Sequence, residues 1–303
     1  MQRDRLSPNG PEISRIAYGT WRFNQDSEGE SPQRVLSKLN ACLEAGITTL
    51  DTAEIYGGYE VEEQLGAALK LEPGLREKFE IVTKCGIYIH CEKRPGTRVA
   101  HYNAERENIL HAAENSLRLL GTDRIDVLLV HRPDWLTAAE ETAAALNKLL
   151  HDGKVLHVGV SNYNVHQFET LNSMMDRPLV TNQVEFSLFN MNPIFDGTFD
   201  LCQRLRIRPM IWSALAGGRL FGGNDETSVR LQAAAAEMAG RYNGATLEQL
   251  AIAWVLAHPS RPQVILGTNR IDRIREQAKA TKLKLDREDW YQLCEAARGK
   301  KIP

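Results

Sequence analysis

Short apolar runs alternate with amphipathic stretches along the whole chain. Eight such runs begin at residues 16, 47, 79, 125, 155, 179, 210 and 263. Their apolar residues are largely consecutive rather than alternating, which is typical of strands buried on both faces of a parallel sheet. The stretches between them repeat apolar residues about every 3.6 positions, as helices do. Eight strands, each followed by a helix, predict a (β/α)₈ barrel, the TIM barrel.

Two long helical segments carry clear start and stop residues. The first begins with Pro32 and ends at Gly46, which fits the preference for proline early in a helix and glycine after it. The second begins at Asn103, a residue type that caps helix starts, and ends at Gly121. We therefore expect a helix between each of these pairs of residues.

Two segments, one hairpin and one helix, do not fit eight plain strand-helix repeats. Residues 3–16 predict a β-hairpin before the first barrel strand, with its turn at Pro8-Asn9-Gly10. Residues 229–242 and 246–258 both have helical patterns, and either could be the seventh barrel helix. The other would then be additional. The predicted fold is thus a TIM barrel with an N-terminal β-hairpin and extra helices.

The barrel is expected to form one domain over residues 1–303. A chain of 303 residues with 43% hydrophobic residues has enough apolar material for a large core. Length alone would also fit two domains, but α/β barrels commonly reach this size as one. A doubly wound open sheet is the rival, and it normally has a glycine-rich turn after its first strand. The sequence "GTWRFNQDSEGE" at that place lacks the GxGxxG pattern.

Charge and cysteine content exclude several classes of function. The net charge is -2 and no basic cluster occurs, so we expect neither nucleic acid nor an anionic membrane as a partner. We find no signal peptide and no run of eighteen apolar residues, which favours a cytoplasmic protein. The five cysteines are scattered without CxxC spacing, and the histidines lack HExxH spacing. We therefore expect reduced thiols and no metal site.

Polar residues stand where the predicted barrel strands end, and active sites of TIM barrels lie at that end. Asp51, Lys84 and His131 end strands two, three and four, and Tyr56 lies on the loop after strand two. Four further strand ends also supply polar or aromatic groups, at Ser161-Asn162, Gln183, Trp212-Ser213 and Gly267-Thr268. Each could be a local cap, but together they indicate chemistry at one mouth of the barrel.

The four residues Asp51, Tyr56, Lys84 and His131 suggest proton transfer to a carbonyl or alcohol oxygen. A tyrosine with a pKa of roughly 10 is a poor acid near neutrality. A neighbouring ammonium would lower that pKa, and a carboxylate would keep the lysine charged. The histidine could hydrogen-bond the substrate oxygen. Because the set lacks an electrophile, we expect a hydride carrier, which implies nicotinamide.

These residues lie in motifs that resemble those of the aldo-keto reductase superfamily over nearly the whole chain. "LDTAEIYG" contains Asp51 and Tyr56, "IVTKCG" contains Lys84, and "LLVHRPD" contains His131. The resemblance implies that Tyr56 is the general acid, that Lys84 and Asp51 tune it, and that His131 orients the substrate. The short loops and "HRPD" resemble a bacterial branch of largely unassigned oxidoreductases.

The resemblance also implies NADP(H) as the cofactor. It implies that Ser161 and Asn162 contact the nicotinamide carboxamide and that Trp212 stacks on the nicotinamide. Arg273 would lie by the 2′-phosphate, although Arg270 and Arg275 could also serve. Several family members have a lysine where this chain has Gly267. The remaining cofactor residues that it implies are Gln183, Ser213, Leu215, Gly217, Arg219, Thr268, Asn269, Glu276 and Gln277.

We interpret the chain as an NADPH-dependent reductase of aldehydes and ketones, with a small carbonyl substrate and a monomeric state. Trp21, Arg22 and Trp135 are candidates for the substrate pocket, because they follow strands one and four. The aromatic residues between Cys85 and Ala104 could line the pocket or only pack. Two other functions remain as alternatives: an NADPH-binding sensor with little turnover, and a lyase that forms a Schiff base at Lys84.

Overall fold

Eight parallel strands close into a barrel in this computed structural model, which describes residues 1–302. Around the barrel the strands follow one another in sequence order, and the last pairs with the first. The TIM barrel predicted from the sequence is therefore confirmed. The barrel strands are β3 (Ile16–Gly19), β4 (Thr49–Asp51), β5 (Glu80–Cys85), β8 (Ile125–Val130), β9 (Val155–Ser161), β10 (Asn182–Glu185), β11 (Met210–Trp212) and β12 (Gln263–Leu266).

Two short antiparallel pairs lie outside the barrel. The first is β1 (Arg3–Arg5) with β2 (Glu12–Ser14), and its turn closes with a bond from Gly10 N to Ser7 O at 3.1 Å. This is the predicted N-terminal hairpin. The second pair is β6 (Ile87–Tyr88) with β7 (His101–Tyr102), in the long loop after β5.

The N-terminal hairpin covers one end of the barrel. Its buried side chains Leu6 and Ile13 pack in one apolar cluster with Val82, Val127 and Met210 of the barrel strands. Exposing these residues would cost free energy in proportion to their apolar area, so the hairpin seals that end against water. The opposite end, where the strands terminate, stays open for a functional site.

Twelve α-helices lie on or around the barrel among residues 1–302. They are α1 (Pro32–Glu44), α2 (Val61–Leu69), α3 (Arg106–Leu120), α4 (Ala139–His151), α5 (Val165–Asn172), α6 (Asn192–Phe195), α7 (Thr198–Leu205), α8 (Arg219–Gly222), α9 (Glu226–Met238), α10 (Leu247–Leu256), α11 (Ile271–Ala278) and α12 (Arg287–Arg298).

The predicted start of α3 was wrong by three residues. The helix begins at Arg106, because Asn103 uses its side chain in a turn before the helix. Asn103 Oδ1 accepts a bond from Glu105 N at 2.9 Å, the local pattern that competes with helix formation. The predicted end was right, since Gly121 has a φ of 65° and terminates the helix.

Both helical patterns before the last strand form helices, and packing decides which one belongs to the barrel. In α10 every residue from Gln249 to Leu256 is buried, and the helix packs against β12. In α9 only one face is buried, and it packs against α12. Helix α10 is therefore the seventh barrel helix, and α9 and α12 are the extra helices.

Candidate active site

Lys84 lies at the centre of a buried hydrogen-bond cluster at the C-terminal end of the barrel. Its Nζ atom donates to Asp51 Oδ2 at 2.9 Å, to Thr52 O at 2.8 Å and to Tyr56 Oη at 2.8 Å. Strand β4 ends at Asp51, and its neighbour β5 ends one residue after Lys84. Because these strands pair, the two charges come together. Because all three N–H groups have an acceptor, the ammonium is satisfied without water.

The second oxygen of Asp51 is also fixed. Gln183 on β10 donates from Nε2 to Asp51 Oδ1 at 2.7 Å, and both side chains are buried. Strands β4 and β10 lie opposite each other in the barrel, so this bond crosses the interior. The carboxylate is thus held between an ammonium and an amide, and its orientation is determined by residues 132 positions apart.

The phenol of Tyr56 stays protonated in this environment. Burial raises the pKa of Tyr56 well above its ordinary value, and the Asp51 carboxylate raises it further. Removal from water disfavours the phenolate, so burial acts against the lowering that the sequence predicts from a neighbouring ammonium. Since Lys84 donates to the phenol oxygen, the hydrogen of the phenol is free to be donated into the cleft above it.

His131 follows β8 and faces the same cleft. Its ring centroid is 6.0 Å from that of Tyr56. Burial lowers the pKa of His131 well below its ordinary value, and the positive charges of Lys84 and Arg132 lower it further. The imidazole is therefore neutral at pH 7 and has one N–H to donate. Its Nδ1 atom is buried and has no hydrogen-bond partner within residues 1–302.

A glycine turn places Tyr56 over the barrel mouth. Gly57 and Gly58 have φ values of 58° and 67°, which residues with a Cβ rarely adopt. A Cβ on Gly57 would also lie 2.5 Å from Asn24 Nδ2, an atom that donates to Gly57 O. The glycine pair therefore permits both the sharp turn and the close contact with the loop after β3.

A cleft of about 700 Å³ opens above this cluster. Asp51, Tyr56 and His131 line its deep end, and Lys84 lies behind them. From there the cleft runs past the ends of β11 and β12 to the start of α11. The cleft therefore has a deep end with acid-base groups and an elongated remainder that is large enough for a cofactor.

The residues after β9 and β11 form one wall of the cleft. Trp212 Nε1 donates to Asn162 Oδ1 at 3.1 Å, and Asn162 Nδ2 donates to Ser161 Oγ at 2.8 Å. Ser161 in turn donates to Gln183 O at 2.9 Å. This chain of bonds fixes four of the predicted cofactor residues relative to one another, and all four line the cleft.

Backbone with positive φ continues this wall. Ser213, Gly217 and Gly218 have φ values of 54°, 67° and 103°. All three line the cleft together with Leu215, and no atom lies within 4 Å of a Cβ built on either glycine. The segment therefore offers an open backbone surface, which suits close approach of a phosphate group.

Arg22 bridges the two sides of this part of the cleft. Its Nη1 atom donates to Gly267 O and its Nη2 atom to Gly217 O, both at 3.2 Å. The sequence predicts Arg22 at the substrate pocket, whereas the structure places it between the loops that follow β11 and β12. Trp21 lies at the deep end, with its ring 4.9 Å from that of Tyr56.

The residues after β12 form the far end of the cleft. Thr268 and Asn269 line it, as do Arg273 and Gln277 of α11. Glu248 of α10 was not predicted, yet it accepts hydrogen bonds from both Arg273 and Gln277. It therefore aligns the two side chains, and only the contact between α10 and α11 shows this.

The three arginines that could bind the 2′-phosphate point in different directions. Arg270 and Arg273 line the cleft, whereas Arg275 forms an ion pair with Glu44 and does not. Gln277 Oε1 is buried and has no hydrogen-bond partner within residues 1–302. The far end of the cleft thus presents two cations and one unpaired acceptor.

Besides Lys84, which lies behind the deep end, three predicted site residues do not line the cleft. Glu276 is exposed and pairs with Lys279, because it lies on the outer face of α11. Arg219 is 61% exposed and lies over the ring of Phe189. Trp135 is 82% exposed and contacts Tyr102. Within the long loop after β5, the cleft is lined by Ile87 rather than by the aromatic residues.

A buried lysine that the sequence did not predict supports the far end. Lys38 of α1 donates to Asp26 Oδ2 at 2.9 Å and to Asn269 Oδ1 at 3.2 Å. Burial raises the pKa of Asp26, but hydrogen bonds from Arg34 and Lys38 outweigh that effect and lower the pKa to about 2. Lys38 lies between buried positions 35 and 39 on the apolar face of α1. A lysine at such a position was the sequence feature that could have indicated its role.

Within residues 1–302, no group of three His, Cys, Asp or Glu side chains is placed to hold a metal ion. None of the helices in that part of the chain is long and apolar enough to cross a membrane.

Residues 15–298 match the sequence model of the aldo/keto reductase family. The chain is 45% identical over 302 residues to 6-dehydroglucose reductase of Agrobacterium fabrum, with all of both chains covered. It is 44% identical over 303 residues to oxidoreductase YdhF of Escherichia coli, again over both whole chains. It is also similar to the crystal structure of a thermostable aldo-keto reductase, Tm1743, with the inhibitor epalrestat. That similarity has a TM-score of 0.80 and 29% identity, and covers 98% of this chain and 100% of the other.

Proposed function

This chain belongs to the aldo/keto reductase family of oxidoreductases, and we propose that it reduces an aldehyde or ketone to the alcohol with NADPH. The observation that carries the proposal is the bond from Lys84 Nζ to Tyr56 Oη at 2.8 Å, beside a neutral His131. A protonated phenol that accepts from an ammonium is arranged to donate its own proton to a substrate oxygen.

The residues of the cleft fit a dinucleotide cofactor. Gln277 Oε1 has no partner among residues 1–302 and would accept a hydrogen bond from a bound base. The open backbone at Gly217 and Gly218 suits a pyrophosphate, and Arg273 suits a 2′-phosphate. NADPH supplies the hydride when it is bound. The other residues that would hold it are Ser161, Asn162, Gln183, Trp212, Ser213, Leu215, Gly267, Thr268 and Asn269.

In the proposed reaction Tyr56 donates its proton to the carbonyl oxygen, and His131 donates a hydrogen bond to the same oxygen. The negative charge that develops on Tyr56 Oη is stabilised by Lys84, which already donates to that atom. Asp51 and Thr52 hold the ammonium in place for this role. Because its three N–H groups are all engaged, Lys84 is poorly suited to attack a carbonyl, which disfavours the lyase alternative.

The relative from Agrobacterium fabrum suggests where to begin with substrates. It is named a 6-dehydroglucose reductase, and it is 45% identical over its whole length. We therefore propose hydroxylated aldehydes of sugar type as the first class to assay. Absorbance of NADPH, followed with 6-dehydroglucose and with simple aldehydes, measures this directly, and equal rates with NADH would contradict the proposed cofactor preference.

We also infer a single domain over residues 1–303, a monomer and a reducing compartment such as the cytoplasm. One closed barrel supports the single domain, and five unpaired cysteines support the reducing compartment. Light scattering on the purified protein would test the monomer, since a dimer would have twice the mass of 34.1 kDa.

The role of Tyr56 is tested with Tyr56→Phe, which removes one oxygen and little volume. Loss of the proton donor should slow hydride transfer in a single turnover by at least about 100-fold, the usual range for general acid catalysis. The NADPH dissociation constant should change by less than about threefold, because the phenol serves the substrate oxygen. Stopped-flow absorbance with saturating NADPH measures both.

Tyr59→Phe is the matched control. It removes a hydroxyl from the same turn, but Tyr59 Oη donates to Ile87 O rather than into the cleft. Its single-turnover rate should stay within about fivefold of the wild-type rate, well short of the loss expected for an acid. A wild-type rate in Tyr56→Phe would remove Tyr56 from the mechanism.

A further inference from the structure

Four arginines line the cleft, and they differ in whether their charge has a partner. Arg22 donates to two backbone oxygens, Arg270 pairs with Asp272, and Arg273 pairs with Glu248. For Arg132, no ion pair or side-chain hydrogen bond occurs within the described 302 residues, although it also lines the cleft. A guanidinium has five N–H donors, and in Arg132 all five are left for a ligand.

The surroundings of Arg132 leave its charge uncompensated. Asp134, two residues later, already accepts bonds from Ala104 N at 2.9 Å, Leu136 N at 3.0 Å and Thr137 Oγ1 at 2.6 Å. Asp51, the carboxylate at the deep end, is bound to Lys84 and Gln183. Both carboxylates are thus held by other donors, and within residues 1–302 neither forms an ion pair with Arg132.

Arg132 also lies close to the proposed site of reaction. It directly follows His131, and its positive charge is one cause of the lowered pKa of that histidine. Its side chain is half-buried, so an ion or hydrogen bond formed there is screened less than one on the open surface. A substrate with its carbonyl oxygen at Tyr56 and His131 would have its adjoining carbon atoms near this cation.

We propose that Arg132 determines substrate specificity by binding a pair of oxygen atoms on the substituent next to the carbonyl group. The planar guanidinium donates two parallel hydrogen bonds, which fit a carboxylate or two neighbouring hydroxyls. The preferred substrates are therefore hydroxylated or carboxylated aldehydes rather than plain alkyl aldehydes. This inference rests on the proposed reductase activity, and it adds the residue that recognises the oxygen-bearing substituent.

The test compares aldehydes of equal carbon number in wild type and in Arg132→Met. This substitution removes the guanidinium but keeps an unbranched apolar chain. The pairs are succinic semialdehyde with butanal, and glyceraldehyde with propanal. The ratio of kcat/KM within at least one pair should fall in the variant by about 10- to 100-fold, as expected for charge-assisted hydrogen bonds. The pair that responds identifies carboxylate or hydroxyl oxygens as the ligand.

The split between the kinetic constants separates binding from a merely structural role. Because the contact exists before and during the reaction, the variant should mainly raise KM for the oxygen-bearing aldehyde. Arg132→Lys should recover part of the preference for the carboxylate, since it keeps the positive charge but lacks the two parallel donors of the guanidinium. Unchanged ratios in both pairs for Arg132→Met would overturn the inference and leave the reductase proposal intact.

Arg177→Met is the matched control for a lost positive charge. Arg177 is exposed and precedes β10, at the end of the barrel opposite the cleft. Both ratios should equal those of the wild type in this variant. An equal fall in Arg132→Met and Arg177→Met would overturn the inference, because it would show a general effect of net charge.

A binding measurement distinguishes failure of this inference from failure of the reductase proposal. Succinate and glycerol are titrated into wild type and Arg132→Met, with the fluorescence of Trp21 and Trp212 in the cleft as the signal. If neither these four aldehydes nor 6-dehydroglucose is reduced with NADPH, the reductase proposal fails. A loss of succinate or glycerol affinity in the variant would then still support binding of paired oxygens at Arg132, and equal affinities would overturn it.

Discussion

At the scale of single residues, the site depends on how buried charges are satisfied. An ammonium removed from water is costly unless its N–H groups have partners, and Lys84 has three acceptors within 2.9 Å. Burial lowers the pKa of Lys84, whereas the charge of Asp51 and its hydrogen bond oppose that change. The lysine is thereby kept as a fixed cation beside Tyr56, which suits it to stabilise charge rather than to react.

The choice between NADPH and NADH also belongs to single residues. Arg273 lines the far end of the cleft, and we expect it to bind the 2′-phosphate that NADH lacks. Arg273→Ala should raise the dissociation constant of NADPH by roughly 10- to 100-fold, the size expected for a charge-assisted bond. The constant for NADH should change by less than about threefold, because that cofactor has no such phosphate. Fluorescence titration measures both.

Arg275→Ala is the control for that experiment. Arg275 lies two residues further along α11, and its charge is directed to Glu44 outside the cleft. We expect NADPH affinity to stay at the wild-type value. Equal losses for NADPH and NADH in Arg273→Ala would show that Arg273 supports the cleft without contacting the phosphate.

At the scale of elements, a close approach of two helices supports the turn that holds Tyr56. Helix α2 begins shortly after that turn and crosses α3 at Gly66. A Cβ on Gly66 would lie 2.1 Å from Leu119 O and 2.9 Å from Leu120 Cα. Since backbone atoms cannot move aside as a flexible side chain can, the contact requires glycine at this position.

Gly66→Ala should therefore destabilise the protein even though alanine favours helix. Overpacking typically costs about 1 to 3 kcal/mol, which exceeds the helix propensity that alanine gains over glycine. Urea unfolding followed by circular dichroism measures the loss. Gly240→Ala is the control, because no atom lies within 4 Å of a Cβ there and its φ is not positive. A Gly66→Ala variant as stable as the wild type would show that α2 and α3 separate freely.

At the scale of the whole molecule, the barrel closes where its last strand meets its first. β12 pairs with β3, and Lys38 ties the loops that follow these two strands by bonding to Asp26 and Asn269. The ammonium also lies 4.3 Å from the ring centroid of Phe23. Arg34 makes the same connection, because it donates to Asp26 Oδ2 at 2.9 Å and to Asn269 O at 3.0 Å. Two neighbouring cations of α1 thus join the loops at the closure of the barrel.

Lys38→Met should weaken the connection between the loops that follow β3 and β12. Removing one partner of a buried pair costs about 3 kcal/mol, toward the lower end of the usual range because Asp26 keeps its bond to Arg34. Asn269 keeps its bonds to Arg34 and Arg22 but loses the bond from Lys38 to its Oδ1 atom. NADPH and NADH should therefore both bind more weakly and by the same factor. Urea unfolding and fluorescence titration measure the two effects.

Lys148→Met serves as the reference for that substitution. Lys148 pairs with Asp152 on the surface, and such a pair contributes at most about 1 kcal/mol. Weaker binding of NADPH alone in Lys38→Met would contradict the proposed support of Asn269. It would indicate a direct contact between Lys38 and the 2′-phosphate instead.

The sequence by itself determined the barrel and the positions of its strand ends. Parallel strands buried on both faces need consecutive apolar residues, so the eight strands were visible as eight apolar runs. Because a barrel brings its strand ends together at one mouth, the sequence alone predicts that Asp51, Lys84 and His131 lie near one another.

Only the tertiary structure decided which groups face each other and which are removed from water. It separated α10 from α9 as the barrel helix, and it directed Gln277 into the cleft and Glu276 away from it. It also showed that burial raises the pKa of Tyr56, against the lowering expected from an ammonium alone. It also left Arg132 without a partner within residues 1–302. The burial and hydrogen-bond pairing of a side chain depend on neighbours from distant segments, such as Gln183 opposite Asp51. Local sequence patterns do not show which residues those neighbours are.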